Sequence, residues 1–274
     1  MSEAREKNQG EMFGSRPGEG QAQKADKGQG RRPCKTLFIT GTGTDVGKTY
    51  VTGLILRKLH QEGVSAAYYK AAMSGNVRGE EGSLIPGDAL TVREVSGISQ
   101  PLEEMCPYIY ENAVSPHLAS RMEGNPVVLE QVQKGFEAVC GQYEYVTIEG
   151  SGGILCPLRM EEGEIWLEDV IQACHTGCLI VADAGLGTIN SVGLTAFYMK
   201  QRGIPLKGII FNHYEPGNVL HEDNRRMCEH LTGVKVVACV RKGDTELEMA
   251  PEVLKGLYQE EFRECIKYTR EEER

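Results

Sequence analysis

A glycine-rich stretch at residues 41–49 constrains this chain more than any other part of its sequence. It reads Gly-Thr-Gly-Thr-Asp-Val-Gly-Lys-Thr. Residues 36–40, just before it, are all apolar or β-branched, which predicts a buried parallel strand. Residues 50–59, just after it, carry apolar side chains at helical spacing. A strand, a glycine-rich loop ending in Gly-Lys-Thr and a helix, in this order, are the context of a phosphate-binding loop.

The parts of this loop have distinct roles toward a triphosphate. Glycines allow backbone N–H groups to wrap around phosphates, and the helix N-terminus adds a partial positive charge. Lys48 would reach the β- and γ-phosphates, and the Thr49 hydroxyl would coordinate Mg²⁺. Five residues separate Gly41 from Gly47, one more than in the usual motif. An ordinary strand-to-helix turn is the alternative, but both flanking elements favour binding of a nucleoside triphosphate.

The composition of the chain narrows the classes of protein to which it can belong. A net charge of −9 argues against a broad nucleic-acid-binding surface and favours small ligands or protein partners. Nine cysteines without a secretory signal predict reduced thiols in a cytoplasmic protein. No run of eighteen apolar residues is present, so no membrane partner is expected. Cys174, His175 and Cys178 come nearest to a metal-ligand cluster, but no second pair completes a tetrahedral site.

Residues 1–34 differ in composition from the rest of the chain. They are rich in Gly, Gln, Lys, Glu and Arg, and such a segment buries too little apolar surface to fold. We therefore expect a disordered N-terminal tail, followed by one domain over residues 35–270. Residues 255–274 are charged and helix-prone, which predicts a closing helix that frays at its end.

Strands and helices alternate along the predicted domain. Alternation of this kind implies a parallel sheet with right-handed crossovers. The expected fold is therefore α/β, a single doubly wound and mostly parallel sheet of the P-loop NTPase type. Strands are predicted at 36–40, 65–69, 145–148, 178–183, 207–212 and 234–240, and helices at 50–59, 89–95, 127–139, 166–173, 188–199 and 224–231.

Two charged residues lie at the carboxyl ends of predicted strands, where this fold binds ligands, and a third lies at the start of a predicted helix. Lys70 ends the second strand, where a lysine is otherwise a solvated charge. Asp88 is placed as a helix N-cap, although a carboxylate near a triphosphate can also hold Mg²⁺. Glu149 follows a buried strand and precedes glycines, which suits a second metal-binding acid of an NTPase or an incidental acid in a turn.

Three further segments are less regular. Residues 76–87 contain three glycines and predict a mobile loop. Residues 101–125 are interpreted as an irregular connection that includes Ser115-Pro116-His117, whose histidine is more typical of a structural residue than of a catalytic one. Residues 185–190 form a second glycine-rich strand-to-helix junction and hence a second potential anion site.

Six short motifs follow one another along the chain. They are Thr40–Thr49, Lys70 with Ser74-Gly75, Asp88-Ala89-Leu90, Ser115-Pro116-His117, Glu149–Gly153 and Gly187-Thr188-Ile189-Asn190. In this order, and with the five-residue spacing of the loop, the set resembles the dethiobiotin synthetase family. The resemblance covers residues 36 to about 215 and implies that 35–270 form a P-loop, ATP-dependent ligase domain.

The resemblance implies a reaction of ATP, Mg²⁺, CO₂ and 7,8-diaminononanoate. One amine of the substrate takes up CO₂ as a carbamate, the γ-phosphate activates it as a mixed anhydride, and the second amine closes the ureido ring. Negative charge concentrates where the carbamate oxygen meets the γ-phosphate, so cations placed there in advance should dominate catalysis.

The resemblance also implies roles for individual residues. Lys48, Lys70, Thr44 and Ser74 would be catalytic, and Asp45 would help to position the substrate. Mg²⁺ would be held by Thr49, Asp88 and Glu149. The nucleotide would contact Gly43, Thr44, Asp45, Val46, Gly47, Lys48, Thr49, Tyr50 and Glu149, with Asn212 at the adenine.

The carboxylate of the substrate needs an anion site of its own, away from the phosphate loop. Gly187, Thr188 and Asn190 offer helix N–H groups and an amide for it, besides Lys70 and Ser74 at the amines. In the family this segment serves the active site of the other subunit, which implies a homodimer with shared sites. A plain helix cap by Thr188 or Asn190 is the alternative.

Two departures from the family pattern leave the nucleotide preference open. Asn212 is followed by His213, where the family often has Asp, and residues 240–242 read Val-Arg-Lys, where the family usually has Pro. The contacts of loop 76–87 are open as well.

Two other functions share the predicted nucleotide fold. A cobyrinate-type amide ligase carries a glutaminase domain, for which a chain of 274 residues leaves no room. A ParA- or MinD-like switch ATPase usually carries an additional lysine early in the loop, where this chain has Thr42 and Gly43. Since neither a basic patch nor an amphipathic terminal helix is evident, the residues favour the ligase.

Overall fold

The structure of the protein, a computed structural model, describes residues 34–161 and 163–260. The tail predicted for 1–34 lies outside these residues apart from Cys34, which is buried. Most of the predicted closing helix, residues 261–274, also lies outside them.

The described residues form thirteen strands, eight α-helices and one 3₁₀ turn. The strands are β1 (Lys35–Gly41), β2 (Ala66–Lys70), β3 (Ala72–Met73), β4 (Val77–Arg78), β5 (Leu84–Ile85), β6 (Tyr108–Ile109), β7 (Tyr145–Glu149), β8 (Pro157–Arg159), β9 (Ile165–Trp166), β10 (Cys178–Asp183), β11 (Leu206–Asn212), β12 (Val236–Cys239) and β13 (Gln259–Glu260). The helices are α1 (Lys48–Gln61), α2 (Gly87–Ser96), α3 (Pro116–Met122), α4 (Leu129–Cys140), α5 (Leu167–Ala173), α6 (Thr188–Gln201), α7 (Val219–Thr232) and α8 (Pro251–Leu257), and the 3₁₀ turn is Leu102–Glu104.

The main sheet has the strand order β12-β11-β10-β1-β7-β2, and all six strands are parallel. Strand β13 pairs antiparallel with the start of β1. From β1 the chain passes to the edge strand β2 and returns to β7, and it then crosses to β10 and runs outward through β11 to β12. A change of direction of this kind leaves a crevice at the carboxyl ends of the central strands. The predicted doubly wound α/β sheet is confirmed.

Alternate residues of β1 enter separate hydrophobic cores, one on each face of the sheet. Phe38 packs in the core that also contains residues of α4, α5 and α6. Leu37 and Ile39 pack in the other, with residues of α1 and α2. All three side chains are fully buried. Helices thus cover both faces, which is why the central strands are continuously apolar rather than alternating.

The expectation of an irregular segment at 101–125 was wrong. It contains the 3₁₀ turn, strand β6 and helix α3. Loop 76–87 likewise contains the two-residue hairpin of β4 and β5. Pairings this short carry no hydrophobic period that a sequence pattern could reveal. Helix α7 begins at Val219, before the predicted start at 224, because the Asn218 side chain accepts a hydrogen bond from the Leu220 N–H at 3.1 Å.

Helices α1 and α2 approach each other closely at Gly53. A Cβ atom added there would lie 2.7 Å from Cβ and Cγ1 of Val95, closer than van der Waals contact allows. Glycine therefore sets the distance between the helix that follows the phosphate-binding loop and the helix that carries Asp88. Gly256, near the end of α8, has no atom within 4 Å of its added Cβ.

We expect Gly53→Ala and Gly256→Ala to change stability in opposite directions. Alanine favours the helix over glycine by up to about 1 kcal/mol, so Gly256→Ala should raise the free energy of unfolding slightly. In Gly53→Ala the contact with Val95 should outweigh this gain and lower stability by about 1–3 kcal/mol. Urea denaturation of both variants measures the difference, and stabilisation by Gly53→Ala would contradict the close approach.

Candidate functional site

The loop between β1 and α1 curls back on itself. Asp45 and Gly47 have φ values of 60° and 87°, in the left-handed region that favours glycine. A Cβ at Gly47 would also lie 2.0 Å from Nδ2 of Asn212, so no larger residue fits there. The Lys48 amine donates a hydrogen bond of 2.8 Å to the Gly43 carbonyl, across the curl of the loop. The Lys48 amine therefore lies inside the curl of the loop.

Beside this loop a lysine lies between two carboxylates. Nζ of Lys70, at the end of β2, is 2.6 Å from Asp88 Oδ2 and 2.9 Å from Glu149 Oε1. The Thr49 hydroxyl, in the first turn of α1, donates to Glu149 Oε1 at 2.9 Å and lies 3.4 Å from Asp88 Oδ1. Four predicted site residues from four elements therefore meet at one point. We call Thr49, Lys70, Asp88 and Glu149 the acidic cluster.

Burial makes the charges of this cluster strongly interdependent. Lys70 is 5% exposed and Glu149 is 1% exposed. Burial alone would lower the pKa of Lys70, but the charges of Glu149 and Asp88 raise it above its ordinary value. Burial would likewise raise the pKa of Asp88, but the charge and hydrogen bond of Lys70 lower it. Lys70 is thus a fixed cation and Asp88 a fixed anion at neutral pH.

Lys48 has a different environment. Burial, assisted by the positive charge of Lys70, lowers the pKa of its amine, and Glu149 opposes the shift. Negative charge brought into the loop would therefore stabilise the protonated amine.

Asp88 does not cap helix α2. The helix begins at Gly87 with Pro86 as its N-cap, and Asp88 stands in the first turn with its carboxylate directed to Lys70 and Thr49. The geometry thus excludes the capping role and places the carboxylate beside the first turn of α1. Asn76 holds the helix start in place, since its Oδ1 accepts from the Gly87 N–H at 2.9 Å.

Sequence reasoning missed Tyr68. Its hydroxyl donates to Oε2 of Glu149 at 3.1 Å, so both oxygens of this carboxylate are engaged within the protein. Burial and the Glu149 charge raise the pKa of Tyr68, which keeps its proton on the hydroxyl. The spacing of the sequence could have revealed Tyr68. Residues two apart on a strand point to the same face, and Tyr68 precedes Lys70 by two.

The glycines after Glu149 lie against the phosphate-binding loop. A Cβ at Gly153 would be 3.5 Å from the Gly41 carbonyl oxygen and 3.7 Å from the Gly43 nitrogen. One at Gly152 would be 3.9 Å from Oγ1 of Thr44. The exposed Thr44 therefore lies where the two glycine-rich segments meet.

Ser74 lies slightly apart from the acidic cluster. Its hydroxyl donates to the Val114 carbonyl at 2.6 Å, and among the described residues it makes no hydrogen bond to the cluster. The same contact brings the Ser115-Pro116-His117 segment near, where helix α3 begins at Pro116. Nδ1 of His117 is buried without a hydrogen-bond partner among the described residues.

On the other side of the loop, Asn212 ends strand β11. Its Nδ2 donates to the Val46 carbonyl at 3.1 Å, which ties β11 to the loop. His213 follows with a φ of 55°, and its ring lies between Asn212 and Asp183. In the sequence, His213 was noted only as a departure from the family pattern. Its contact with Asp183 was not predicted, because a sequence does not show which strand ends are neighbours.

The second glycine-rich junction begins helix α6. Gly187 is its N-cap with a φ of 93°, and no side chain caps the helix, so neither Thr188 nor Asn190 has the alternative capping role. Asn190 is exposed, whereas Thr188 is 4% exposed and its Oγ1 has no hydrogen-bond partner among the described residues. Leu186, two residues earlier, is 92% exposed.

Two further sequence features were a possible cysteine–histidine metal cluster and the question of a membrane-spanning segment. Cys174 and Cys178 are buried core residues, and the described residues contain no group of three or more His, Cys, Asp and Glu side chains placed to hold a metal. Among the cysteines of the described segments, free thiols are carried by Cys34, Cys106, Cys156, Cys178, Cys228 and Cys239. Within those segments no helix combines the length and apolar character needed to cross a bilayer.

We expect Lys70→Met to be strongly destabilising. It leaves Glu149 buried without its cation, and breaking a buried ion pair costs about 3 kcal/mol or more. The lowered pKa of Asp88 means that its attraction to Lys70 is present above the ordinary Asp pKa and is lost as pH falls through the folded-state pKa. The loss of stability should therefore be largest near neutral pH and shrink below about pH 4.

Lys235→Met is the matched control. Its amine is 3.4 Å from Glu229 and its side chain is 81% exposed, so its removal should change stability by less than about 0.5 kcal/mol. Denaturation at several pH values measures both variants. Equal losses, or a Lys70→Met loss that does not change with pH, would contradict the charge assignment.

Comparison with known proteins agrees with the motifs. A family model described as an AAA domain matches residues 35–245. The ATP-dependent dethiobiotin synthetase of Brachyspira hyodysenteriae is 42% identical over 216 residues, covering 78% of this chain and 96% of the relative. That of Clostridium novyi is 42% identical over 233 residues, covering 84% and 98%.

Among solved structures, the MinC:MinD cell division protein complex of Aquifex aeolicus matches with a TM-score of 0.48 at 13% identity, covering 81% of this chain and 86% of that one. The sequence relatives are far more similar, and the match to them extends over nearly their whole length. The chain belongs to the ATP-dependent dethiobiotin synthetase family.

Proposed function

We propose that this chain uses ATP and Mg²⁺ to carboxylate 7,8-diaminononanoate with CO₂ and to close the ureido ring of dethiobiotin. The acidic cluster carries the proposal, because it places a buried cation and oxygen ligands directly beside a phosphate-binding loop. Family membership supports the choice of substrates, and the cluster supports the chemistry of phosphoryl transfer.

The loop and Lys48 bind the triphosphate in this proposal. The Lys48 amine already points into the curl of the loop, where it donates to Gly43, and phosphate oxygens can replace that carbonyl as acceptors. Backbone N–H groups of residues 43–50 supply further donors, and the N-terminus of α1 favours the negative charge. The γ-phosphate then ends at the acidic cluster, on the β7 and β2 side of the loop.

The acidic cluster also fits a divalent cation. Thr49, Asp88 and Glu149 present only oxygen donors, which a hard cation such as Mg²⁺ requires, and their oxygens converge within 3.4 Å of the Thr49 hydroxyl. When bound, Mg²⁺ would offset the charge of the β- and γ-phosphates. Tyr68 keeps the second oxygen of Glu149 engaged and so fixes the orientation of that carboxylate.

Lys70 acts where negative charge develops. An amine nitrogen of the substrate bonds to the CO₂ carbon and loses a proton, which gives a carbamate. A carbamate oxygen then attacks the γ-phosphorus and ADP leaves, and finally the second amine attacks the carbamoyl carbon and phosphate leaves. The protonated Lys70 stabilises the carbamate and the transferred phosphoryl group. Thr44, Asp45 and Ser74 position the amines and the carbamate.

The carboxylate of the substrate binds to Gly187, Thr188 and Asn190 of the other subunit in a homodimer. Supporting this, the buried Thr188 hydroxyl lacks a partner within the described residues, as expected for a group that awaits a ligand. Leu194 and Phe197 on the same helix are more than 60% exposed, as is Leu186 beside it. An apolar surface of this kind is typical of a protein interface.

We also propose where the adenine binds and in which compartment the enzyme works. Adenine lies at the β10 and β11 side of the loop, next to Asn212 and to Tyr50 of α1. The enzyme works in the cytoplasm, which is supported by the six cysteines named above as free thiols.

ADP release tests the reaction directly. The complete mixture of ATP, Mg²⁺, 7,8-diaminononanoate and bicarbonate should give ADP and dethiobiotin in equal amounts. Omitting any one component should abolish both products, because each is consumed or needed before the ring can close. ATP hydrolysis that is indifferent to the diamine would instead indicate a switch ATPase.

Mixed dimers test the shared site. Lys70→Ala and Asn190→Ala chains, each poorly active, should partly rescue one another when they are unfolded together and refolded. Random pairing makes half of the dimers mixed, and each mixed dimer has one intact site, so about a quarter of wild-type activity is the ceiling.

The matched control pairs Lys70→Ala with Asp88→Asn. Both residues belong to the same acidic cluster of one chain, so every site of a mixed dimer keeps a lesion and no activity should return. If Lys70→Ala and Asn190→Ala chains also fail to rescue one another, the carboxylate site lies within one chain.

A further inference from the structure

The amide of Asn212 has only one possible orientation. A backbone carbonyl can only accept, so the Asn212 atom 3.1 Å from the Val46 oxygen must be the nitrogen Nδ2. The same Nδ2 lies 3.3 Å from Nε2 of His213. Both of its hydrogens are therefore directed at neighbours, and the carbonyl oxygen Oδ1 is the atom left for a ligand. Asn212 is 3% exposed, and Oδ1 accepts no hydrogen bond from the described residues.

Asp183 fixes the tautomer of His213 that this arrangement needs. Oδ2 of Asp183 lies 2.7 Å from Nδ1 of His213, so Nδ1 carries the proton. Nε2 is then a lone-pair acceptor, as the contact with Nδ2 of Asn212 requires. Oδ1 of Asp183 is occupied separately, because it accepts from the Gly185 N–H at 2.7 Å. Burial would raise the pKa of Asp183, but the hydrogen bonds from His213 and Gly185 lower it.

We infer that Asp183 and His213 are positioning residues that set the base preference of the nucleotide site. They hold Asn212 with its oxygen free, and an oxygen selects a base that presents an amino group, such as adenine. A base with a carbonyl oxygen at the same position, as in inosine triphosphate, would bring two acceptors together. A buried acceptor left without a donor is costly, which makes the preference strong.

The inference rests on the proposed function for the location of the base. The γ-phosphate end lies at the acidic cluster on the β7 and β2 side of the loop. The base end therefore lies on the opposite side, where β10 and β11 terminate at Asp183 and Asn212. His213 holds a left-handed φ of 55° in this place, a conformation that is unfavourable for histidine unless its contacts compensate.

Asp183→Asn is a sharp test because one contact determines how the new amide must turn. The Gly185 N–H can only donate, so Oδ1 of the new Asn faces it and the NH₂ group faces His213. That group donates to Nδ1, which moves the imidazole proton to Nε2. Nε2–H then opposes Nδ2 of Asn212, and the free oxygen is no longer held in place.

The measurement is direct binding of ATP and of inosine triphosphate to the full chain with Mg²⁺, without diamine or bicarbonate. Wild type should bind ATP about tenfold or more tightly than inosine triphosphate. Asp183→Asn should lower this ratio to about threefold or less, chiefly by weakening ATP. A ratio unchanged by the substitution would overturn the inference, as would equal weakening of both nucleotides.

Asp223→Asn is the matched control. Asp223 in α7 has a similar side-chain exposure, 55% against 51% for Asp183, and pairs only with Arg226 among the described residues. Its substitution removes the same charge and should leave the ratio unchanged. His213→Asn is the second variant, because Asn tolerates the left-handed φ but cannot span Asp183 and Asn212 together. It should also lower the ratio.

The tautomer itself gives a readout that a purely structural role would not move. Long-range ¹H–¹⁵N correlation of the imidazoles should show the Nδ1–H form for His213 in wild type and the Nε2–H form in Asp183→Asn. His213→Asn assigns the signal among the six histidines. An Nδ1–H form in both proteins would overturn the inference. If wild type binds both nucleotides equally but still makes dethiobiotin, the base preference fails while the proposed reaction stands.

Discussion

The ion pairs of Lys70 with Asp88 and Glu149 are the interaction on which the site depends. A buried lysine is unfavourable without compensating charge, and a buried glutamate equally so. Their contacts at 2.6 and 2.9 Å join the end of β2, the first turn of α2 and the end of β7. The Thr49 hydroxyl adds the start of α1 to the same group. Because every member comes from a different element, the cluster forms only when the sheet and its helices are assembled.

In the proposed function, this arrangement lets the two lysines act differently on one phosphoryl group. Lys48 is hydrogen-bonded to the loop, and burial lowers the pKa of its amine. The negative charge of an incoming phosphate would therefore stabilise the protonated form. Lys70 already has its counter-charges and a raised pKa, so it is a cation before any ligand arrives. Such a pre-placed charge needs little reorganisation during reaction, which is the main source of electrostatic catalysis.

The fold and the loop could be predicted from the sequence because both depend on local patterns. Apolar strands, helical spacing and a glycine-rich turn gave the alternating α/β order, and the site residues at strand ends followed from that topology. The position of Asp88 at the start of a helix could be predicted, but the direction of its side chain could not. An acid there can cap the helix or turn away from it, and the contact with Lys70 shows that Asp88 turns away.

The features of the fold and the site that could not be predicted depend on contacts between separate segments of the chain. Tyr68 supports Glu149 across two strands, and His213 meets Asp183 only because β10 and β11 are neighbours in register. The pairings of β6 with β3 and of β4 with β5 have too few residues to show a period. The partners of Tyr68 and His213 lie far from them in the sequence, although the spacing of Tyr68 from Lys70 places both on one face of β2.

The position of β1 in the sheet has a consequence for how the chain folds. Lys35 lies beside Tyr145, 110 residues later, and Thr36 contacts Gln259, 223 residues later. The strand made first therefore waits for partners that are synthesised much later, and such non-local pairing slows folding. Until β7 and β10 arrive, β1 is an apolar segment with both edges open, which favours aggregation. A nascent chain that ends before residue 178 has the complete Gly-Lys-Thr motif but lacks β10, one of the two strands that flank β1.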